Sequence, residues 1–370
     1  MKRLNNLYNK TYELNNIIEM TDKVLKKVRN KKMVDKFETY KMEHILNIKY
    51  RLESGKNLIS KYNIFLIKDP KYRIIMSLNI EDKIINHLIS KYILEATFED
   101  KFTDSMVATR IGKGTSCGIK LLRKYLNSMK KKYNNFYILK IDISKYFYSI
   151  DHEVLKRILN KKIKDKKSLN AINGIIDSTD ELYINKRINF IKENRNDEEI
   201  NSIPIYEAGK GVGIGNQTSQ NFGLIYLYEL NHYIKEKLKI KYVINYMDDF
   251  VIIHHDKEYL KYCLSTIKEK LNIEYKLKIN EKKTNINSIK NGIEFLGYRF
   301  FVSGNKIIIK IKKSTKKRFK KKVKNLKVLK NNNYIDSETC IKLLSSYKGL
   351  LKYGNCKRLF ISNLKRINSY

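Results

Sequence analysis

The most constraining feature of the sequence is a pair of adjacent aspartates between two short apolar runs. Residues 242–253 are Tyr-Val-Ile-Asn-Tyr-Met-Asp-Asp-Phe-Val-Ile-Ile, which places Asp248 and Asp249 between segments rich in β-branched and aromatic residues. This pattern predicts a β-hairpin with both acids at its tip. Two carboxylates so close to apolar strands are costly to desolvate unless solvent or a cation compensates their charge. We therefore expect a divalent cation here, although a lone Asp-Asp pair is also typical of a polar turn.

A third acid ends another apolar run further upstream. Residues 137–147 are Tyr-Ile-Leu-Lys-Ile-Asp-Ile-Ser-Lys-Tyr-Phe, so a predicted strand reaches Asp142 and continues into aromatic residues. Two strands that each deliver carboxylates to one edge of a sheet can hold two Mg²⁺ ions about 3.5–4 Å apart, as in-line phosphoryl or nucleotidyl displacement requires. Oxygen ligands favour Mg²⁺ over Zn²⁺. The three acids are therefore candidates for a two-magnesium site.

The motifs of this chain match a known family in their order along the sequence. Tyr246-Met247-Asp248-Asp249 resembles the signature box of reverse transcriptases, and Asp142 followed by Phe147 resembles their first catalytic motif. Residues 213–220 (Gly-Ile-Gly-Asn-Gln-Thr-Ser-Gln) are similar to the second motif of reverse transcriptases from diversity-generating retroelements. The resemblance covers residues 60–300 and reaches less clearly to 346–349. Other segments that resemble motifs of this group are 69–73, 104–105, 110–115, 280–284 and 295–298.

The resemblance implies an α+β fold of the right-hand polymerase type, with fingers, palm and thumb. A small antiparallel palm sheet would be packed by helices, and the thumb would be helical. The predicted division of the chain is an N-terminal helical extension (1–60), fingers (61–135), the first part of the palm (136–160), an insertion between fingers and palm (161–205), the second part of the palm (206–305) and a basic helical thumb (306–370).

The resemblance also implies the catalytic roles. Asp142 and Asp248 would bridge the two Mg²⁺ ions, for which Mn²⁺ is a possible substitute, and Asp249 would complete the ion on the primer side. The backbone carbonyl of Ile143 would add a ligand. Lys283 lies where the family is thought to protonate or neutralise the leaving pyrophosphate, although it could also be an ordinary surface lysine.

A second group of residues is predicted to bind the incoming nucleotide. Lys71 and Arg73 would clamp the triphosphate, a task that suits the guanidinium fork. Phe147 lies where the family has an aromatic residue that collides with a ribose 2′-hydroxyl, which favours dNTP substrates. Ile214 replaces the glutamine usual in the wider superfamily, and the resemblance implies error-prone copying opposite template adenine. Gly215, in a glycine-rich run that permits close backbone approach, and Gln220 complete the predicted set.

The charge of the chain indicates a polyanionic partner. Lys and Arg number 77 against 38 Asp and Glu, a formal net charge of +39. Nucleic acid fits this surplus better than a membrane surface, because the sequence has no lipidation signal and no apolar stretch near 18 residues. The spacing of Phe319, Val323 and Leu326 predicts a helix over 310–330 with one apolar stripe and an otherwise basic surface. The predicted template–primer contacts are Arg110, Lys113, Lys316, Lys317, Arg318, Lys320 and Lys321.

Apolar spacing also predicts helices within 1–60 and over 118–131 and 221–238. The four cysteines are scattered and form no Cys-x-x-Cys pair, which favours free thiols in a reducing cytoplasm, and no signal peptide is apparent. His254 and His255 are interpreted as a strand end rather than a zinc site. His87 and His152 are interpreted as structural.

Four functions remain open at this point, one of which, an RNA-templated RNA polymerase, is opposed by Phe147. The first is an error-prone reverse transcriptase of a diversity-generating retroelement that makes cDNA from dNTPs on a dedicated RNA template and primer, with a small basic accessory protein as partner. The second is a reverse transcriptase of an antiphage defence system, for which a structured noncoding RNA is expected. The third is a non-catalytic RNA-binding protein on a polymerase fold, which the three intact acids oppose.

Overall fold

The computed structural model describes residues 3–68, 71–195, 197–304, 306–354 and 356–368. Asp69 and Pro70 of the predicted fingers motif lie outside the described residues. The helices, in chain order, are α1 (Leu14–Leu25), α2 (Lys31–Thr39), α3 (Lys41–Ser54), α4 (Ile80–Ile89), α5 (Ala96–Phe98), α6 (Thr115–Lys132), α7 (Tyr146–Ser149), α8 (His152–Asn160), α9 (Lys166–Asp177), α10 (Leu182–Glu193), α11 (Glu198–Asn201), α12 (Gln217–Glu236), α13 (Lys257–Tyr275), α14 (Lys313–Asn331), α15 (Ser337–Tyr353) and α16 (Lys357–Asn368).

The strands form three small antiparallel sheets in the described part of the chain. They are β1 (Asn63–Lys68), β2 (Tyr72–Ser77), β3 (Tyr137–Asp142), β4 (Tyr242–Tyr246), β5 (Asp249–His254), β6 (Asn285–Ser288), β7 (Ile293–Phe295), β8 (Tyr298–Ser303) and β9 (Lys306–Ile311). Their orders within the sheets are β1-β2, β4-β5-β3-β6 and β7-β8-β9. Helices with small antiparallel sheets make an α+β fold, as the sequence predicted.

One compact unit consists of Met1–Thr109, Asp142–Lys237 and Thr266–Asn280. In its β1–β2 hairpin, Ile64 pairs with Met76 across the strands, and both are buried, as is Ile74. Their apolar face packs against Ile184 and Ile188 of α10. The burial alternates along β2, so Arg73 is left on the exposed side. This alternation gives the unit a core while presenting a cation to solvent.

The N-terminal end of this unit contains α1, α2 and α3, which confirms the helices predicted within residues 1–60. Ile17, Ile45 and Ile48 are each fully buried.

The helix predicted over residues 221–238 is observed as α12, which starts at Gln217 rather than at residue 221. Its first turn is held by Asn86, whose side-chain carbonyl accepts from the Thr218 amide at 3.1 Å. The first turn of α12 therefore lies within the segment 213–220 that was expected to be a glycine-rich turn, and Asn86 of α4 accepts a hydrogen bond from it.

The second compact unit consists of Arg110–Ile141, Leu238–Ser265 and Glu281–Tyr370. It holds the β4-β5-β3-β6 sheet up to Ile141, with the predicted helix observed as α6. Ile138, Leu139 and Ile141 are buried on both sides of β3, which is expected for an inner strand. The near-continuous burial explains why this run of sequence is so apolar.

The C-terminal helices α14, α15 and α16 pack on one another within this unit. The predicted apolar stripe of Phe319, Val323 and Leu326 is buried, and the Phe319 ring lies 5.1 Å from the ring of Tyr347. The prediction that the helix starts at residue 310 is wrong. Lys310 belongs to β9, because the alternating apolar residues at 307, 309 and 311 pair with β8.

Candidate active site

The two adjacent aspartates lie at the tip of a hairpin, as predicted. Strands β4 and β5 are antiparallel, Tyr246 pairs with Asp249, and Met247-Asp248 is the intervening turn. Met247 has a φ of 59°, a left-handed conformation that non-glycine residues adopt infrequently. The buried Asn245 side chain donates to the Met247 carbonyl at 2.6 Å and supports this turn. The hairpin therefore presents both carboxylates, each half-buried, at a fixed position.

The strand that carries the third acid lies next to this hairpin in the sheet. β3 neighbours β5, and it ends at Asp142, which is 9% exposed. The ammonium nitrogen of Lys140 lies 3.3 Å from Oδ2 of Asp249. Since side chains two residues apart share a face of a strand, Asp142 is on the same face of β3 as Lys140. Asp142 and Lys140 therefore share one face of β3.

The backbone after Asp142 is held by the segment that follows α13. The Asp142 carbonyl accepts from the Asn280 amide at 2.7 Å, and the Ser144 amide donates to the Lys278 carbonyl at 2.8 Å. Ile143, between them, is buried. Lys283 lies a few residues further along, exposed in the turn before β6. The predicted motif at 280–284 therefore begins at a backbone contact with the first acidic strand.

Three of the predicted nucleotide-binding residues meet around the glycine-rich segment. The Phe147 carbonyl accepts from the Val212 amide at 2.8 Å, and the Met76 amide of β2 donates to the Ile214 carbonyl at 2.9 Å. At Gly215, where φ is 121°, an added Cβ would lie 3.0 Å from Cγ2 of Ile75. Close approach to β2 therefore requires glycine at this position.

The other predicted nucleotide-binding residues are on neighbouring elements of the same unit. Arg73 is exposed on β2, the strand that contacts the Ile214 carbonyl, and Lys71 is exposed just before it. Gln220 is half-buried in the first turn of α12, where its amide donates to the Asn216 carbonyl. Of these residues, Arg73 lies on the strand whose Met76 amide donates to the Ile214 carbonyl.

The predicted template–primer residues are all in the second unit. Five of them lie on α14, where each is exposed and flanks the buried apolar stripe of the helix. Arg110 and Lys113 are half-buried in a turn closed by a hydrogen bond from the Lys113 amide to the Arg110 carbonyl, 3.1 Å long. The α14 residues are Lys316, Lys317, Arg318, Lys320 and Lys321.

A basic surface on α6 was not among the residues predicted to bind nucleic acid. The residues along one side of this helix line a shallow groove, and Arg123 also lines a second groove with Lys306 of β9. Their spacing of three and four residues was a visible signal, because it repeats on one helical face. The prediction used only the apolar positions of α6. The first groove is lined by Lys120, Arg123, Lys124, Asn127, Ser128 and Lys131.

The carboxylates at this site have the donor chemistry of a divalent-cation site. Oxygen ligands from Asp side chains suit Mg²⁺ and Mn²⁺. The ammonium of Lys140 beside Asp249 shows in addition that a positive charge fits against this carboxylate. The residues present therefore fit the predicted ions.

Comparison with known proteins identifies the family. The family model described as reverse transcriptase (RNA-dependent DNA polymerase) matches residues 59–300. The chain belongs to the reverse transcriptase family. This confirms the predicted enzyme class, since the family consists of RNA-directed DNA polymerases, which are nucleotidyltransferases. Members act on template RNA and nucleotides and generally use divalent metal ions.

Two other comparisons complete this result. No curated protein matches the chain. Among solved structures, the chain is similar to apo telomerase from Candida tropicalis truncated from its C-terminal domain, with 15% identity and a TM-score of 0.48. The match covers 74% of this reverse transcriptase and 60% of the telomerase chain.

In the described ranges, no helix combines the length and the apolar character needed to cross a membrane.

Proposed function

We propose that this protein copies a dedicated RNA template into cDNA by two-metal nucleotidyl transfer, as the error-prone polymerase of a diversity-generating retroelement. The observation that carries the proposal is the placement of acids on two neighbouring strands: β3 ends at Asp142, and β5 begins at Asp249 beside Lys140. Carboxylates on neighbouring strands supply the oxygen ligands that divalent cations prefer, which favours two-metal catalysis over RNA binding alone.

The carboxylates of Asp142, Asp248 and Asp249 would hold two Mg²⁺ ions, with Mn²⁺ as a substitute and the Ile143 carbonyl as a further ligand. When bound, such ions lower the pKa of the primer 3′-hydroxyl and neutralise the departing pyrophosphate. Lys283, exposed before β6, would add positive charge at the leaving group.

Substrate recognition would use the residues around β2 and the glycine-rich segment. Lys71 and Arg73 are exposed cations and would grip the triphosphate. Phe147, fixed through its carbonyl to Val212, would exclude a ribose 2′-hydroxyl and so select dNTPs. Gly215 permits close backbone approach, and Gln220 follows in the same motif.

The diversity-generating role rests on Ile214. Its carbonyl is bound by the Met76 amide, so the backbone is fixed while the half-buried side chain is aliphatic. An aliphatic side chain offers no hydrogen bond to hold the incoming nucleotide, which supports loose base selection. A small basic accessory protein would then be a partner in the cytoplasm, and a structured noncoding RNA would take its place in the antiphage alternative.

The RNA–DNA product would lie against basic helical surfaces. On α14 the exposed residues Lys316, Lys317, Lys320 and Lys321 surround one buried stripe, so their ammonium groups are directed to solvent and can reach phosphates. The basic side of α6 would add further phosphate contacts, as would Arg110 and Lys113.

The test is primer extension on a primed RNA template with dNTPs and Mg²⁺. We expect extension by the full chain and by the control Asp35→Asn, which changes an exposed aspartate of α2, and none by Asp248→Asn/Asp249→Asn. Misincorporation concentrated at template adenines would support the diversity-generating role. Accurate cDNA would keep the polymerase and favour antiphage defence. No synthesis on either a generic RNA or RNA from the same locus would contradict the proposal.

A further inference from the structure

A buried histidine outside the acidic strands faces two carboxylates. His152 opens α8, and its side chain is 2% exposed. Its Nε2 lies 2.7 Å from the carbonyl oxygen of Gly211. A carbonyl only accepts, so Nε2 carries a proton. In the neutral imidazole this leaves a lone pair on Nδ1.

The lone pair on Nδ1 is directed into an anionic cluster. No hydrogen bond from the described residues reaches Nδ1. Oδ1 of Asp177 lies 3.4 Å from it and Oδ2 of Asp180 lies 3.6 Å from it. The three ligand atoms are within 4.8 Å of one another. A lone pair facing two negative oxygens is unfavourable unless a positive charge lies on it or between the three groups.

The distances favour an ion over a shared proton. Charge-assisted N–H···O hydrogen bonds are about 2.7–2.9 Å long. Two ligands about 2.1 Å from a tetrahedral metal ion are instead roughly 3.4 Å apart. The two separations from Nδ1, 3.4 and 3.6 Å, are close to that spacing.

The surroundings resemble the outer shell of a metal site. A backbone carbonyl on the far nitrogen of a ligating histidine fixes the tautomer, and Gly211 supplies it here. The Gly209 amide donates to Oδ1 of Asp180 at 3.0 Å, which leaves Oδ2 for an ion. Lys156 lies 2.8 Å from Oδ1 and 3.0 Å from Oδ2 of Asp177, so it can stay on Oδ2 while Oδ1 ligates.

We propose that His152, Asp177 and Asp180 bind one divalent transition-metal ion, of which Zn²⁺ is the best match. One imidazole nitrogen with carboxylate oxygens suits Zn²⁺ better than Mg²⁺, which prefers oxygen ligands alone. The ion would fasten the start of α8 and the connection after α9 to Gly209 and Gly211, and so stabilise the segment that leads to Ile214. The site uses none of the acids assigned to polymerisation.

The experiment measures Zn²⁺ binding rather than polymerase activity. The full chain with Asp248→Asn/Asp249→Asn is freed of metal with a chelator, and Zn²⁺ is then titrated against a chromogenic chelator. We expect a tight site that Asp180→Asn weakens by more than about tenfold and that Asp35→Asn leaves unchanged. Asparagine at 180 can still accept from the Gly209 amide, so this variant is expected to fold.

A second measurement follows the imidazole itself. In long-range ¹H–¹⁵N spectra, Zn²⁺ should shift the Nδ1 resonance of His152 while Nε2 keeps its proton. Equal Zn²⁺ binding by the Asp180→Asn variant would overturn the proposal. So would a His152 that is protonated on both nitrogens at neutral pH and indifferent to Zn²⁺, since the cluster would then be an ion pair.

Discussion

The Nζ atom of Lys140 lies 3.3 Å from Oδ2 of Asp249, and it also lies 3.1 Å from the carbonyl oxygen of Glu294. The side chain thus contacts both an acid of the candidate active site and the backbone of β7. Its position two residues before Asp142 directs it to the same face of β3. A fixed positive charge beside these carboxylates opposes the binding of a second cation.

Removal of this charge should strengthen metal binding. We expect Lys140→Met to lower the half-saturating Mg²⁺ concentration of primer extension about fivefold, the equivalent of about 1 kcal/mol of relieved repulsion in a partly solvated site. The measurement is the initial rate as a function of Mg²⁺ concentration. Lys140→Arg keeps the charge and should leave the midpoint unchanged. A midpoint that rises in Lys140→Met would show instead that Lys140 orients Asp249.

Local patterns in the sequence predicted the strands and helices that carry the site. The β4–β5 hairpin and β3 follow from alternation or runs of apolar residues, and the buried stripe of α14 follows from its spacing. These signals are local, because the periods of a strand and a helix are set by the backbone itself. The boundary at Lys310 was wrong since a helical spacing was extended into residues that pair with β8.

Contacts between distant segments were beyond such patterns. Nothing in the residues around Met76 indicates that its amide binds the Ile214 carbonyl, and nothing around Asp249 names Lys140 as its neighbour. The orientation of His152 depends on Gly211, from another segment. Each of these contacts is decided by tertiary packing, so the sequence indicates candidate residues for the site but not their partners.

Phe147 should decide the choice between deoxyribonucleotides and ribonucleotides. We expect Phe147→Val to raise rNTP incorporation relative to dNTP by at least about 10-fold, since a single methylene in a specificity pocket already changes discrimination by about 10–200-fold. The Phe147 backbone is bound to Val212, so the substitution should leave the segment in place. The measurement is the ratio of kcat/KM for matched dNTP and rNTP. Phe147→Tyr keeps the ring and should preserve discrimination, and equal ratios in all three proteins would remove Phe147 from this role.

The exposed lysines of α14 should govern the salt dependence of binding. Lys316→Gln/Lys317→Gln/Lys320→Gln is expected to reduce the slope of log K against log salt for an RNA–DNA duplex by about two to three, since each phosphate contact releases counterions. Lys31→Gln/Lys32→Gln/Lys36→Gln changes three exposed lysines of α2 and removes the same charge. Binding is measured by fluorescence anisotropy at several salt concentrations. Equal slopes for both triple variants would indicate an effect of net charge alone.

Asp165 should make the stability of the first unit depend on acidic pH. Partial burial works to raise the pKa of Asp165, but hydrogen bonds from the Tyr8 amide and from Ser168 outweigh it and hold the pKa below its ordinary value of 3.8. The carboxylate also caps α9. Because the folded-state pKa is the lower one, its stabilisation is present above pH 3.8 and is lost as pH falls through the folded-state value.

We therefore expect Asp165→Asn to lower the free energy of unfolding at neutral pH, because asparagine can still cap α9 but loses the charge-assisted part of the hydrogen bonds from the Tyr8 amide and Ser168. The difference from the unmodified chain should narrow as pH falls below 3.8. Urea unfolding followed by circular dichroism at several pH values gives the comparison, with Asp35→Asn as the control at an exposed site. A difference that stays constant with pH would assign the effect to lost capping geometry rather than to the charge.

Ile214 should set the error rate. Its carbonyl accepts from the Met76 amide at 2.9 Å, so a new side chain changes chemistry at this position without moving the backbone. Ile214→Gln adds a hydrogen-bonding group that can hold a correctly paired nucleotide. One such bond of about 0.5–1.5 kcal/mol should lower misincorporation opposite template adenine about twofold to twelvefold. Ile214→Val stays aliphatic and should keep the original error spectrum. The measurement is deep sequencing of cDNA made from one template by the three proteins. If Ile214→Gln and Ile214→Val give the same spectrum as the unmodified chain, base selection depends on other residues.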